Sequence, residues 1–312
     1  MLFWKNFGKF LQGRVLGDYF QEPKEFSCSR RGCCCENLPK AKLRRDFWDA
    51  RRGPFYLAAR KASEGISIFD WEVDRLKKEA VKKEKKLTLE RQFVLFPESG
   101  LPVVANWLWV VENCPFLEEG KCSIYGKRPL MCRQFPVRGK NVFFSIKRRE
   151  KLGLAISSLC ARAQETNAPR YFRGANETIR RFSKAFGECF LAKIRYDADW
   201  LFVTESARFL EMSGKIGFER AENLSPKRAW VKSRKFQRLS ALLVEKGVFR
   251  NRRALERKLE SNREILVSLF LQRKFGEIRN FKVIGFRDAG PARKTRRLPG
   301  KRTSLSARTF VP

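Results

Sequence analysis

The chain contains no histidine. General acid–base catalysis by imidazole, the side chain poised to titrate near neutrality, is therefore excluded. Acids are scarce as well: 33 Asp and Glu stand against 68 Lys and Arg, a formal net charge of +35. Such an excess does not set a fold, but it attracts polyanions such as RNA, DNA or anionic lipid. Adaptation to heat would raise Glu together with Lys; this composition does not, which favours a polyanion partner. Long apolar runs are missing too. The longest, Leu101 to Val111, is interrupted by Pro102 and Asn106 and falls far short of the ~20 residues a membrane span needs. The opening MLFWKNFGKFLQGRVLGDYF has no continuous apolar h-region and no small-residue cleavage site, so it does not read as a signal peptide. No glycine-rich cofactor loop and no internal repeat is visible. These absences point to a cytoplasmic protein with no integral membrane association.

What the chain has is cysteine. Seven of its nine cysteines fall in two blocks, C-S-R-R-G-C-C-C at 28–35 and CPFLEEGKCSIYGKRPLMC at 114–132. A dense thiol set without histidine leaves a thiolate metal site, an iron–sulfur cluster or disulfides. A reducing cytoplasm favours metal binding over a disulfide framework. The odd count argues against complete pairing, and a bond between neighbours such as Cys33 and Cys34 would be strained.

Zinc takes four thiolates at about 2.3 Å, and an iron–sulfur cubane also takes four cysteines. Both draw ligands from segments held together by tight turns. Gly32, Cys114-Pro115, Gly120 and Arg128-Pro129 provide such turns beside the cysteines. Cys28, Cys34, Cys35, Cys114, Cys122 and Cys132 are the leading candidate ligands; Cys33 and Cys160 complete the candidate set. Adjacent side chains diverge in extended backbone, so Cys33, Cys34 and Cys35 cannot easily all reach one small ion. Cys189, next to Phe190 in a helical pattern, reads as packing. The zinc-ribbon knuckle C-x2-C is absent, and so is the C-x3-C-x2-C spacing of radical chemistry with S-adenosylmethionine. The surplus of candidate ligands and the basic surroundings tip the choice slightly towards an iron–sulfur cluster over zinc.

The string CPFLEEGKCSIYGKRPLMCRQFPV at 114–137 resembles the second half of the YkgJ-type cysteine-cluster family, described as zinc- or iron-chelating. The family opens with C-x2-C-x2-C-C. Cys28, Cys34 and Cys35 match three of those four positions, with Arg31 at the second. Ile66 to Leu76 is similar to the helix segment that follows. Cys114, Cys122 and Cys132 match the middle three cysteines, and Cys160 is the candidate for the last. The resemblance covers about residues 26–160 and implies a metal-binding domain. Around its cysteines, Arg128 and Arg133 are candidates to donate hydrogen bonds to thiolates or cluster sulfurs. One related branch, the flagellin lysine-N-methylases, makes a cluster-dependent enzyme an alternative; a purely structural zinc protein is another. Whether the chain is an enzyme stays open here.

The expected fold is α+β: a small cysteine-rich metal-binding domain with helices and few short strands, followed by a basic helical appendage. Residues 1–21 form a basic aromatic arm, 22–212 the cysteine-cluster domain, 213–287 a basic helical hairpin region and 288–312 a disordered basic tail. Ser67 is the expected cap of a helix carrying Phe69, Val73, Leu76 and Ala80. Leu87 to Leu95 alternates as a strand, and Val103 to Val111 suits either a strand or a buried helix. Val142 to Ile146 and Glu277 to Phe286 are further strand candidates. Helices are expected from Ile179 to Met212, from Ser225 to about Glu245 and from about Arg252 to Phe275. Residues 225–312 carry 25 Lys and Arg against 6 Asp and Glu, a net of +19. With Trp230, Phe236 and Phe249 interleaved, this region is the candidate contact for RNA or DNA.

Overall fold

The computed structural model describes residues 55–57, 65–110, 113–157, 160, 175–219 and 235–284. The arm at 1–21, the first cysteine block and the tail at 288–312 lie outside the described residues.

The fold is α+β. Its centre is a sheet in which β1 (Phe55–Leu57), β3 (Leu89–Leu95), β4 (Val103–Trp109) and β2 (Ile66–Phe69) lie side by side, all neighbours antiparallel. The apolar stretch at 103–109 is thus a strand, flanked on both edges and buried throughout. Valine and tryptophan suit a strand covered on both faces. Along one edge of β4, β2 pairs with Asn106 to Trp109. Where β2 ends, β9 (Gln237–Arg238) takes over and pairs in parallel with Val103 and Val104.

Side chains alternate between two cores. Ile66, Ile68, Val94, Val104, Trp107 and Trp109 face the first, which α1 (Asp70–Lys82) covers with Val73, Leu76 and Ala80. Phe69, Phe93, Leu95, Val103 and Ala105 face the second, larger core. There they meet α4 (Ala175–Met212), a long helix broken at Gly187. Leu239, Leu242 and Leu243 of α5 (Leu239–Glu245) and Leu255, Leu259 and Leu266 of α6 (Arg252–Leu271) join the same core. The described part of the region beyond residue 213 therefore packs on the elements that precede it.

Several local expectations are corrected. Ser67 does not cap a helix: Ile66–Phe69 is a strand, and the buried Ser67 hydroxyl sits 2.9 Å from both Gln92 Oε1 and Asn106 Oδ1. The helix begins at Asp70, where Glu72 reaches back to accept the Phe69 N–H. Residues 142–147 form a helix, α3 (Val142–Lys147), because Asn141 Oδ1 accepts the N–H groups of Phe143 and Phe144. The strand expected from Glu277 is replaced at its start by helix α7 (Phe275–Asn280). Residues 237–238, expected within a helix, are the strand β9.

Candidate metal centre

The cysteine-bearing segment starts at the end of β4. Phe116, fully buried, packs edge-on against Trp109 with ring centroids 5.6 Å apart. The Leu117 N–H donates to the Cys114 carbonyl at 3.0 Å, closing a tight turn over Pro115. A two-residue hairpin follows, β5 (Leu117–Glu118) and β6 (Lys121–Cys122), with Cys122 opposite Leu117. Its turn residues Glu119 and Gly120 both have positive φ, 49° and 71°. That is the primed turn whose twist matches a hairpin, and Gly120 adopts it without strain. The Ser123 N–H then donates to the Phe116 carbonyl at 2.8 Å, fastening the far side of Cys122.

From there a 3₁₀ turn, Tyr125–Lys127, leads into α2 (Leu130–Arg133), which carries Cys132. Arg128 is folded over Tyr125, its guanidinium carbon 3.7 Å from the ring centroid and its Nε donating to the Tyr125 carbonyl at 3.0 Å. After α2, β7 (Val137–Gly139) pairs with β8 (Leu154–Ile156). The Ser157 N–H donates to Pro136 O and the Cys160 N–H to Ser157 O. This pairing ties the backbone bearing Cys160 to the backbone that leaves Cys132.

Helix α1 anchors the whole segment. The buried Glu72 carboxylate accepts the Leu130 N–H at 2.9 Å, the Phe69 N–H at 3.3 Å and an Arg75 N–H at 3.5 Å. One side chain therefore serves the first turns of α1 and α2 together. Burial outweighs these donors and pushes the Glu72 carboxyl above its ordinary range. Further along α1, Glu79 pairs with Lys127 at 2.8 Å, and Lys85 beyond the helix pairs with Glu118 at 3.4 Å. Ahead of β2, Gly65 has φ 144°, and a Cβ there would meet the Trp109 carbonyl oxygen. None of these supports was singled out from the sequence. The signals were a Glu at the third position of a helix starting at Asp70 and a Gly before a β-branched run.

Cys114, Cys122 and Cys132 are all partly exposed and pack against the first core. Cys160 is buried in the second core, and the partly exposed Cys189 packs against that core as expected. Among the described residues, no three Cys, Asp or Glu side chains are grouped so as to hold a metal ion. Cys28, Cys33, Cys34 and Cys35 lie outside them. The described half carries three thiols on one braced segment, with Arg128 and Arg133 close to them in sequence. Arg133 is half-buried, and burial together with Arg195, Arg128 and Arg75 holds its guanidinium below its ordinary range.

Residues 27–161 match the family model described as "CxxCxxCC: Putative zinc- or iron-chelating domain", the family indicated by the motif at 114–137. No curated protein and no solved structure matches the chain. No helix among the described residues is long and apolar enough to cross a membrane.

Proposed function

We propose that the chain holds a zinc ion or an iron–sulfur cluster through thiolates drawn from Cys28, Cys33, Cys34, Cys35, Cys114, Cys122, Cys132 and Cys160, in the cytoplasm. The observation that carries this reading is the bracing of the 114–132 segment by protein contacts alone. Turn, hairpin and the Glu72 bridge fix Cys114, Cys122 and Cys132 along one core edge. Arg128 and Arg133 stabilise the thiolate form, since a nearby cation lowers the pKa of a thiol. Bound there, a cluster supplies an electron-transfer centre and zinc a structural cross-link. The excess of thiols over four tips the reading to the cluster.

Anaerobic purification, elemental analysis and an absorption spectrum test this. A brown protein with stoichiometric iron and sulfide identifies the cluster; a colourless one with zinc identifies the structural alternative. Turnover of a small substrate by the loaded protein would select the enzyme related to lysine-N-methylases. Cys122→Ser and Cys132→Ser should each abolish metal loading, while Cys189→Ser should leave it intact. Unchanged metal in the first two defeats the reading.

Contact of the basic C-terminal region with RNA or DNA is a second reading. Arg250, Arg253 and Arg257 are exposed around α6, which supports contact with phosphates. Base stacking is less well served: Phe249 is buried against Phe202, Phe236 packs edge-on against Trp107, and Trp230 lies outside the described residues. The expectation is salt-sensitive binding without sequence preference. Affinity that stays flat from low to moderate salt would rule it out.

A further inference from the structure

We infer that a nucleic-acid duplex lies by its phosphate backbone along the surface where α3 packs on α7, held by Arg138, Arg148, Arg149, Lys151, Arg279 and Lys282. Such a partner presupposes the contact with RNA or DNA proposed above. The surface uses other residues than Arg250, Arg253 and Arg257, and part of it lies within the stretch that matches the family model. Contacts bring its parts together. Helix α3 packs against α7, and Lys147 at the end of α3 donates to the Phe281 carbonyl at 3.2 Å. Arg148 and Lys282 are the chain neighbours of that touching pair. The Phe281 N–H donates to the Ile278 carbonyl, which keeps Arg279 in the turn just before it. Beyond Lys147, the Arg149 N–H donates to Ile146 O and the Glu150 N–H to Ser145 O, so the chain curls back over the end of α3. The Lys140 N–H donates to the Gly153 carbonyl at 3.0 Å, and the Lys140 ammonium faces Glu150 at 3.8 Å. These two contacts set the strand β7, which carries Arg138, beside the turn that carries Arg149 and Lys151.

Charge on this surface is one-sided. Residues 138–151 hold six Lys and Arg against one Glu, and residues 273–282 hold four against one. The carboxylates at hand are already taken by lysines: Glu150 by Lys140, Glu205 by Lys147 and Glu277 by Lys274, at 3.8, 3.3 and 3.1 Å. The six cations of the proposed contact are exposed, and none of them pairs with a carboxylate among the described residues. Exposed like charge of this kind raises the local potential and draws a polyanion. The sequence that follows supplies little counter-charge, since residues 285–312 carry eight Lys and Arg and one Asp. The large apolar side chains exposed among the described residues, Val81, Leu101, Met212 and Ile265, belong to other segments. The surface thus offers charge rather than an apolar anchor, which suits the phosphates of a duplex better than an unpaired base or a bilayer. Its side chains need not converge on one point, because a duplex carries about one charge per 1.7 Å of its axis.

Fluorescence anisotropy with the full chain and labelled DNA and RNA duplexes of one mixed sequence, followed from low to moderate salt, tests this surface. Arg149→Gln/Lys151→Gln and Arg279→Gln/Lys282→Gln each remove two phosphate contacts. Each double variant should flatten the plot of log affinity against log salt by about two. Lys77→Gln/Lys78→Gln removes the same charge from the exposed side of α1 and should leave the slope at its parental value. All the substituted side chains are exposed, so the thermal midpoints should match the parent. Dependence on both of the first two pairs supports the surface, and the tighter duplex identifies the nucleic acid. A parental slope in either of those pairs overturns it. Equal flattening by the α1 pair also overturns it, because net charge alone would then account for the loss. If Arg253→Gln/Arg257→Gln alone flattens the slope, contact with nucleic acid stands and this surface falls. Binding to vesicles containing phosphatidylserine with none to either duplex overturns both, as does the absence of any binding at low salt.

Discussion

Replacing Glu72 with alanine probes the brace under the cysteine segment directly. The carboxylate accepts two buried backbone N–H groups, from Phe69 and Leu130. Removing it leaves both donors without a partner, at about 1–3 kcal/mol each. Against this, the variant no longer buries a carboxylate whose ionised form is disfavoured there. The two effects oppose each other, and the net loss should fall near 2–3 kcal/mol, in the lower half of the summed range. Glu72→Gln keeps one acceptor oxygen but turns an NH₂ group towards the second donor, so it should lose about half as much. Urea unfolding of the metal-loaded protein measures this as a lower midpoint at unchanged slope. Because Leu130 opens the helix that carries Cys132, metal should also leave Glu72→Ala faster on chelator challenge. A midpoint within error of the parent, with metal release unchanged, would refute the bridging role.

The same carboxyl predicts a pH dependence. Its folded-state pKa is raised above the ordinary 4.5, so just above that pH the native state binds more protons than the unfolded chain. Stability should therefore fall as pH rises through this window, and Glu72→Gln should show a shallower fall in the same urea titration. Gly65→Ala forces a side chain against the Trp109 carbonyl at a positive φ. It should lower the thermal midpoint sharply, whereas Gly100→Ala, which has open space around it at φ 96°, should show only the smaller backbone penalty. Arg263 donates to both oxygens of the buried Asp199, at 2.7 and 2.6 Å. Although burial opposes it, Asp199 holds the Arg263 charge above its ordinary range. Arg263→Met should cost about 3–5 kcal/mol by stranding that carboxylate. Adding Asp199→Asn should recover much of the loss, and equal stability of the single and double variants would contradict the pairing.

The cysteine segment was legible because its signals are local. Pro after Cys114, Gly before Cys122 and the alternation of Leu89 to Leu95 each report on a turn or strand within a few residues. The misread places depend on distant partners. Ser67 looks like a cap but is drawn into the sheet by the pairing of Ile66 to Phe69 with β4. Val142 to Ile146 is as apolar as any strand, yet the Asn141 cap and the Asp197 carboxylate, which accepts the Val142 N–H at 3.0 Å, turn it into a helix. Gln237 and Arg238 have no strand character of their own and pair only because β2 leaves part of one β4 edge open.

That last pairing carries the fold beyond the stretch that matches the family model. Asp70, at the start of the helix that braces the cysteines, is fully buried, and its charge is met by Arg238 and the Ser240 N–H. Arg238 also reaches Asp74, which Arg252 grips from the other side. During synthesis, the stretch matching the metal-chelating family leaves the ribosome with Asp70 still lacking these partners, which lie about seventy-five residues or more beyond its end. A fragment trimmed to that stretch would carry a stranded carboxylate beneath the helix its thiols lean on. In this chain the helix that supports the Cys132 segment through Glu72 is itself held at Asp70 and Asp74 by Arg238 and Arg252, which lie outside the matched stretch.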